Sequence, residues 1–243
     1  MSAAPENPVD LVPNDYDAFG EAYSTENETS LINAYYTLPA MIDLAGDVAG
    51  RRVLDAGCGS GPLFAALRDR GATVSGFDAS TTMVGVARRR LGPDADLRVA
   101  DLAAPLPYDD GAFDDVVSAL VLHYLEDWTA PLAELRRVLR TGGRLIVAVN
   151  HPIIYKMIDP KADYFATVQW SSEHTFAGRK AVLSNWHRPL HAMTDAFTAA
   201  GFRISVVSEP HPAPEARELF PEELAEFPSG AFLCFLFFVL EAA

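Results

Sequence analysis

The chain is poor in cysteine and in basic residues. Its 243 residues include two cysteines, Cys58 and Cys234, which are too few for a disulfide framework. Nineteen Lys and Arg face 33 Asp and Glu, which gives a formal net charge of −14 at pH 7. Nucleic acids and anionic membranes attract basic surfaces, so this balance disfavours both as partners.

Long apolar runs are also absent. The most apolar stretch, residues 231–240, is too short to span a bilayer as a helix. The first residues lack the basic start and apolar core of a secretory signal. We expect a disordered lead over residues 1–12 and a cytoplasmic location.

Metal-ligand spacing is not found either. His187 and His191 stand four residues apart, but no glutamate lies between them and no third ligand is suggested nearby. We therefore expect no metal.

A glycine-rich turn follows the first buried strand. Gly57, Gly59 and Gly61 leave the backbone open to a ligand, and Pro62 suits the first position of a helix. A strand, a bare turn and a helix N-terminus together form a cradle for a nucleoside-bearing ligand.

Two acidic residues flank this cradle. Asp78 ends the next strand, about twenty residues on, where a carboxylate can accept hydrogen bonds from both ribose hydroxyls. A dinucleotide motif would place its third glycine where Pro62 stands. Asp55 would repel a pyrophosphate but attract the ammonium of a methionine moiety. These residues favour S-adenosylmethionine (SAM) over NAD.

Strands and helices alternate along the chain. We predict strands at 51–56, 73–78, 97–100, 114–120, 144–149 and 202–208, and helices at 62–70, 80–90, 129–139 and 190–200. This alternation predicts an α/β fold, a mostly parallel, Rossmann-like sheet with helices on both faces.

Further motifs follow in order between about residues 50 and 150. They are Asp55-Ala56-Gly57-Cys58-Gly59-Ser60-Gly61, Phe77-Asp78-Ala79-Ser80 with Met83, Ala100-Asp101-Leu102, residues 106–114, residues 118–124, and Leu135 through Gly143. Together they resemble the class I SAM-dependent methyltransferases. Trp186-His187-Arg188-Pro189-Leu190 and Ala200-Gly201-Phe202 resemble a bacterial branch that acts on small molecules. The resemblance implies a seven-stranded sheet, an antiparallel last strand at 231–240, SAM as cofactor and S-adenosylhomocysteine as product.

The remaining cofactor positions come from this resemblance. Asp101 would accept from the adenine amino group and Leu102 would donate its backbone N–H, while Leu120 would offer its carbonyl. Ala79 and Met83 would adjoin the adenosine, and Tyr16 and Tyr23 would reach it from an N-terminal flap. Structural alternatives stay open: a helix cap for Asp78, a strand-end carboxylate for Asp55, helix packing for Met83, a solvated loop for Asp101, and helices on the sheet edge instead of a flap.

Histidines supply the candidates for the acceptor side. His123 and His151 follow the fourth and fifth strands, at the sheet edge where ligands bind. His187 precedes the Arg188-Pro189-Leu190 turn. A base is needed only for a poor nucleophile such as an alcohol, and each histidine has a structural alternative. Tyr155 and Trp186 would line the acceptor pocket.

An aromatic-rich insert interrupts the alternation between residues 151 and 189. Residues 164–170 favour a strand, and residues 177–180 favour a turn before another. We expect a substrate lid, with a structural hairpin or a dimer contact as alternatives. The chain then divides into a flap (1–45), a SAM-binding core (46–150), the insert (151–189) and the rest of the sheet (190–243).

These features predict methyl transfer from SAM to O or N of a small molecule by in-line displacement, and a carbon acceptor stays open. Two alternatives remain, a non-catalytic SAM-binding protein and an NAD-linked oxidoreductase. A homodimer stays open.

Overall fold

The computed structural model describes residues 11–225, 227 and 232–243. Its strands are β1 (Arg52–Ala56), β2 (Thr73–Asp78), β3 (Asp96–Val99), β4 (Phe113–Ala119), β5 (Leu139–Asn150), β6 (Val168–Phe176), β7 (Arg179–His187), β8 (Phe202–Ser208) and β9 (Phe235–Ala242). Its α-helices are α1 (Tyr16–Asn27), α2 (Leu38–Ala45), α3 (Pro62–Asp69), α4 (Thr81–Leu91), α5 (Thr129–Val138), α6 (Pro152–Ile158), α7 (Leu190–Ala199) and α8 (Ala216–Leu219). A π-helical turn spans Asn33–Thr37, and a 3-10 turn spans Leu122–Tyr124.

Seven strands form one sheet in the order β3-β2-β1-β4-β5-β9-β8. The first five pair in parallel, while β9 runs antiparallel to both β5 and β8. The predicted fold class, a mostly parallel Rossmann-like sheet with an antiparallel last strand, is confirmed. Because β1 and β4 adjoin at the centre, the loops after them meet at one edge of the sheet.

Two predicted strand boundaries were wrong. Strand β5 begins at Leu139 and not at 144, because Leu139 pairs with Phe113 before the register shifts. Strand β9 begins at Phe235, and residues 232–234 are not in a strand. Residue 231 and most of the expected disordered lead lie outside the described residues.

The core covers both faces of the sheet. Phe237 packs into one buried cluster with Phe64, whereas Phe238 packs into the other with Trp128 and Phe197. Successive side chains of a strand point to opposite faces, so β9 contributes to both layers. This double cover explains why the central strands are apolar throughout.

An ion-pair network fixes the edge of the sheet opposite the glycine turn. The Asp115 side chain is 1% exposed and accepts from Arg51 and Arg144. Arg51 Nη2 lies 2.7 Å and Arg144 Nε lies 2.8 Å from Asp115 Oδ1. The network joins the start of β4 to the start of β1 and to β5.

The insert contains α6 and the β6–β7 hairpin. The hairpin turns at Ala177 and Gly178, which both have positive φ values, 45° and 82°. Its first strand begins at Val168, so residues 164–167 of the predicted strand are not in one. Phe176 and Ala181 near the turn pack with Phe19 of α1 in a small cluster of their own.

Within the described residues, every helix is too short or too polar to cross a bilayer.

Candidate cofactor and acceptor site

The three glycines after β1 have different surroundings. All have positive φ, which suits glycine. A Cβ on Gly57 would lie 2.3 Å from Val121 Cγ2, and one on Gly61 would lie 2.8 Å from Leu91 Cδ1. A Cβ on Gly59 would meet Met83 Cε at 3.5 Å, an ordinary contact. Gly57 and Gly61 therefore serve close packing, while Gly59 has open space beside it.

Asp78 connects the end of β2 to this turn. Its Oδ2 accepts from the Gly59 N–H at 2.9 Å, and its Oδ1 accepts from the Ser80 N–H at 2.9 Å. Ser80, not Asp78, caps α4 by accepting from the Met83 N–H at 3.1 Å. Burial raises the pKa of Asp78. Each carboxylate oxygen keeps a lone pair for a further donor.

Asp55 lies beneath the turn and is 2% exposed. A hydrogen bond from the Phe64 backbone stabilises its charged form, but Oδ2 has no hydrogen-bond partner. Burial, together with the charge of Asp78, raises the pKa of Asp55 to about 7. A buried carboxylate oxygen without a donor is costly, and a cation placed there would remove the cost.

Three tyrosines surround Asp78. The hydroxyls of Tyr16 and Tyr124 lie 2.8 Å apart, and the rings of Tyr16 and Tyr23 meet edge to face at 5.2 Å. Burial raises the pKa of all three, and the charge of Asp78 adds to each increase. They are thus neutral hydroxyls. Sequence reasoning missed Tyr124, although it directly follows His123 at the end of the fourth strand.

Helix α1 is attached beside Asp78. Asp17 Oδ1 accepts from the Ser80 hydroxyl at 2.6 Å and from the Thr82 N–H at 2.9 Å. A Cβ on Gly20 would lie 2.7 Å from Met83 Sδ, so the two helices approach closely there. Met83 is 3% exposed, so it also has the packing role left open above.

The other predicted cofactor residues lie in loops at the same edge. Asp101 is exposed and accepts from the Ala103 N–H at 2.9 Å in a local turn, next to buried Leu102. Ala79 is exposed. Leu120 has a φ of 61° and donates its N–H to the Ala148 carbonyl at 2.8 Å. A left-handed leucine is strained, and such strain concentrates at functional sites.

His123 is buried, and one of its nitrogens is already engaged. Nδ1 accepts from the Asn150 N–H at 3.2 Å, which places the ring proton on Nε2. Burial lowers the pKa of His123 to about 3. Neutral His123 therefore presents a donor and has no lone pair left to accept a substrate proton.

The other two histidines are also oriented by neighbours. His151 Nδ1 accepts from the Ile153 N–H at 3.1 Å, and its Nε2 lies 2.7 Å from Glu209 Oε1. His187 Nε2 lies 2.8 Å from the Tyr164 carbonyl, and its ring stacks on Tyr155 at 4.8 Å. Nε2 is thus protonated in both rings, and only His187 keeps Nδ1 as an acceptor.

One small cleft unites most of the predicted acceptor residues. It encloses only about 10 Å³, roughly the room for one water molecule, and is lined by Asn150, His151, Pro152, Ile154, Tyr155, Trp170, Trp186, His187 and Arg188. His123 adjoins it through Asn150. Among the described residues, no group of three or more His, Cys, Asp or Glu is placed to hold a metal ion.

Comparison with known proteins gives a consistent result. Residues 54–147 match a family described as a methyltransferase domain. A demethylmenaquinone methyltransferase from Thermus thermophilus is 41% identical over 44% of this chain and 50% of its own length. A ubiquinone biosynthesis O-methyltransferase from Dechloromonas aromatica is 31% identical over 60% of this chain and 66% of its own.

A solved structure extends the match over most of the fold. An S-adenosylmethionine-dependent methyltransferase from Mesorhizobium loti has a TM-score of 0.64 and 27% identity, covering 84% of this chain and 96% of its own. The chain itself spans about half the length of the curated relatives it matches first.

Residues 54–147 thus match a methyltransferase domain, and the chain has the class I SAM-dependent methyltransferase fold. SAM is the cofactor of this family, as the sequence predicted. The buried free oxygen of Asp55 and the open backbone at Gly59 fit such a cationic nucleoside.

Proposed function

We propose that this protein transfers a methyl group from SAM to an oxygen or nitrogen of a small molecule by in-line displacement. The observation that carries the proposal is the unpartnered Oδ2 of Asp55, buried beneath a bare glycine turn. A site that keeps a carboxylate without a donor is suited to a ligand that brings a cation.

Each end of the cofactor would have its own contacts. Asp55 would face the ammonium, and Asp78 would accept from the ribose hydroxyls with the lone pairs that Gly59 and Ser80 leave free. Asp101 and Leu102 would meet the adenine. Ala79, Met83 and the carbonyl of Leu120 would complete the contacts, with Tyr16 and Tyr23 covering them from α1.

The chain's own task is to align the reactants and exclude water. When bound, SAM supplies a methyl group already activated by its positively charged sulfur. His123 and His151 would position the acceptor as hydrogen-bond donors or through their neighbours, because their lone pairs are taken. His187 Nδ1 is the remaining candidate for a general base. Tyr155 and Trp186 would line the pocket.

The names of the relatives support a small-molecule acceptor. Enzymes of menaquinone and ubiquinone pathways appear among them. The net charge of −14 supports a partner other than nucleic acid or an anionic membrane. The insert would act as a lid, and a homodimer through it is compatible with this function.

Calorimetry with SAM, S-adenosylhomocysteine and NADH tests the cofactor. We expect the first two to bind and NADH not to bind. Release of S-adenosylhomocysteine with a panel of small hydroxyl and amine compounds tests turnover. Binding without release from any compound would favour a non-catalytic SAM-binding protein, and binding of NADH alone would overturn the proposal.

A further inference from the structure

The acceptor cleft has an unusual charge balance for so acidic a protein. Of its nine lining residues, Arg188 alone has a permanently charged side chain and none is a carboxylate, while the Glu209 carboxylate pairs with the lining residue His151 at 2.7 Å. The formal net charge of the chain is −14. A cleft lined without acidic residues, at the site where the acceptor would bind, therefore stands out from the rest of the molecule.

Arg188 is held in place without its charge being neutralised. The guanidinium lies over the Trp128 ring, 4.7 Å from its centroid, and Nη2 donates to the Glu126 carbonyl. Nε is buried and has no hydrogen-bond partner. None of the ion pairs among the described residues includes Arg188.

Asp127, the carboxylate whose charge acts on Arg188, already accepts two other hydrogen bonds. Asp127 Oδ1 accepts from the Thr129 N–H at 2.9 Å and from its hydroxyl at 2.7 Å. Burial lowers the pKa of Arg188, against the opposing effect of Asp127. A partly desolvated guanidinium without a counterion favours an anion supplied from outside.

Aromatic side chains form much of the rest of the cleft, beside Pro152 and Ile154. Tyr155 stacks on His187 with 24° between the ring planes, and Trp170 and Trp186 also line the space. Such surfaces bind a planar ring by stacking and hydrophobic contact.

We propose that Arg188 is a specificity-determining residue and that the acceptor is an aromatic molecule with an anionic substituent such as a carboxylate. This proposal rests on the proposed function, since it identifies the cleft as the acceptor site. Because the cleft encloses only about 10 Å³, its walls move apart to admit the ring beside Tyr155, Trp170 and Trp186, and the anionic group faces Arg188.

Binding measured without turnover tests this assignment. The protein saturated with S-adenosylhomocysteine is titrated calorimetrically with benzoate, 4-hydroxybenzoate and 2-naphthoate, each beside its matched carboxamide. We expect at least one carboxylate to bind about tenfold tighter than its amide, the range of a charge-assisted hydrogen bond. Arg188→Gln should remove the preference and Arg188→Lys should keep part of it, because lysine preserves the charge without the fork.

Lys180→Gln is the matched control. It removes one positive charge from the exposed far end of β7, the strand that ends one residue before Arg188, and should leave the preference unchanged. Retained binding of S-adenosylhomocysteine shows that each variant is folded.

The outcomes separate the two proposals. Equal binding of acids and amides to the unaltered protein, no binding of either, or a preference that survives in Arg188→Gln overturns the role of Arg188 and leaves methyl transfer standing. Failure of the unaltered protein to bind S-adenosylhomocysteine removes the proposed function and this inference with it.

Discussion

At the residue scale, Asp55 and Asp78 are buried carboxylates in different hydrogen-bond environments. Both oxygens of Asp78 accept from backbone N–H groups, whereas Oδ2 of Asp55 has no donor. The first arrangement shapes the glycine turn. The unpartnered oxygen of Asp55 makes a buried negative charge unfavourable in the protein without ligand, and a cationic ligand would compensate that charge.

Asp55 should make the stability of the empty protein depend on pH. The pKa of Asp55 rises from 3.8 to about 7 on folding, so the folded protein binds more protons than the unfolded chain between these pH values. The free energy of unfolding therefore falls as pH rises from about 4 to 7. Asp55→Asn should remove this decline and raise the free energy of unfolding at pH 8 by at least about 1 kcal/mol. Urea unfolding at pH 5 and pH 8 measures both effects.

The control for this variant is Asp94→Asn, which changes an exposed carboxylate. Affinity for S-adenosylhomocysteine should fall in Asp55→Asn despite the gain in stability. A variant that keeps the original pH profile would show that Asp55 is not the responsible group.

Substitutions at Gly57 and Gly59 should distinguish a glycine needed for packing from one needed for ligand contact. Gly59→Ala should lower stability by about 1–2 kcal/mol because of its positive φ, and should weaken S-adenosylhomocysteine binding at least tenfold. Gly57→Ala should lose more stability because its Cβ meets Val121. Thermal unfolding and calorimetry distinguish the two, and normal affinity in Gly59→Ala would refute the proposed contact.

Sequence patterns predicted which residues come together after β1 and β2, but not the hydrogen bonds that fix their protons. The spacing of Asp55, the glycines and Asp78 was enough to predict the cradle, because a strand, a turn and a helix bring them together locally. The proton positions on His123 and His151 depend on Asn150, Ile153 and Glu209. These tertiary contacts leave no periodic pattern in the sequence. The same is true of the buried Nε of Arg188, which has no hydrogen-bond partner.

At the scale of elements, helix α1 and the hairpin stabilise each other. Phe176 stacks on Phe19 at 5.8 Å and meets Tyr23 edge to face at 5.1 Å. Arg179 donates to the Ala18 carbonyl at 2.7 Å, and Asn14 donates to the Ser184 carbonyl at 2.9 Å. The expected flap and insert are thus packed together as one cover.

Phe176→Ala should loosen this cover and leave the sheet intact. We expect faster amide exchange across Tyr16–Asn27 and Val168–His187, and weaker binding of S-adenosylhomocysteine, because Tyr16 and Tyr23 would lose their support. Hydrogen exchange followed by mass spectrometry measures the first effect. Phe165→Ala is the control, since that ring is 72% exposed, and equal exchange in both variants would contradict the coupling.

The boundaries of helices and strands were predictable where local sequence alone determines them. The Ala177–Gly178 turn follows from local sequence. The early start of β5 at Leu139 does not, because its cause is pairing with Phe113. The start of β6 at Val168 is likewise set by its partner, His187.

At the scale of the whole molecule, the two edges of the sheet have different roles. The edge with the glycine turn carries strained Leu120 and the buried, unpartnered Oδ2 of Asp55. The opposite edge carries the network of Asp115 with Arg51 and Arg144. Stability is thus concentrated away from the ligand site.

Asp115→Asn should lower the free energy of unfolding by about 2–3 kcal/mol. This loss is smaller than the loss expected for a fully buried network, because the side chains of both arginines are about one quarter exposed. Affinity of the folded protein for S-adenosylhomocysteine should stay the same. Asp110→Asn, whose carboxylate is 82% exposed in its pair with Arg137, should change stability by under about 0.5 kcal/mol. Chemical denaturation compares them, and similar losses would contradict the network's role.

The tyrosines around Asp78 also bear on kinetics. Because the half-buried rings of Tyr16 and Tyr23 lie near Asp78, we expect α1 to move aside before a nucleoside reaches the carboxylate. The rate of loading should then level off as ligand concentration increases, with the plateau set by how often the protein opens. Encounter by diffusion would govern uptake only in dilute ligand.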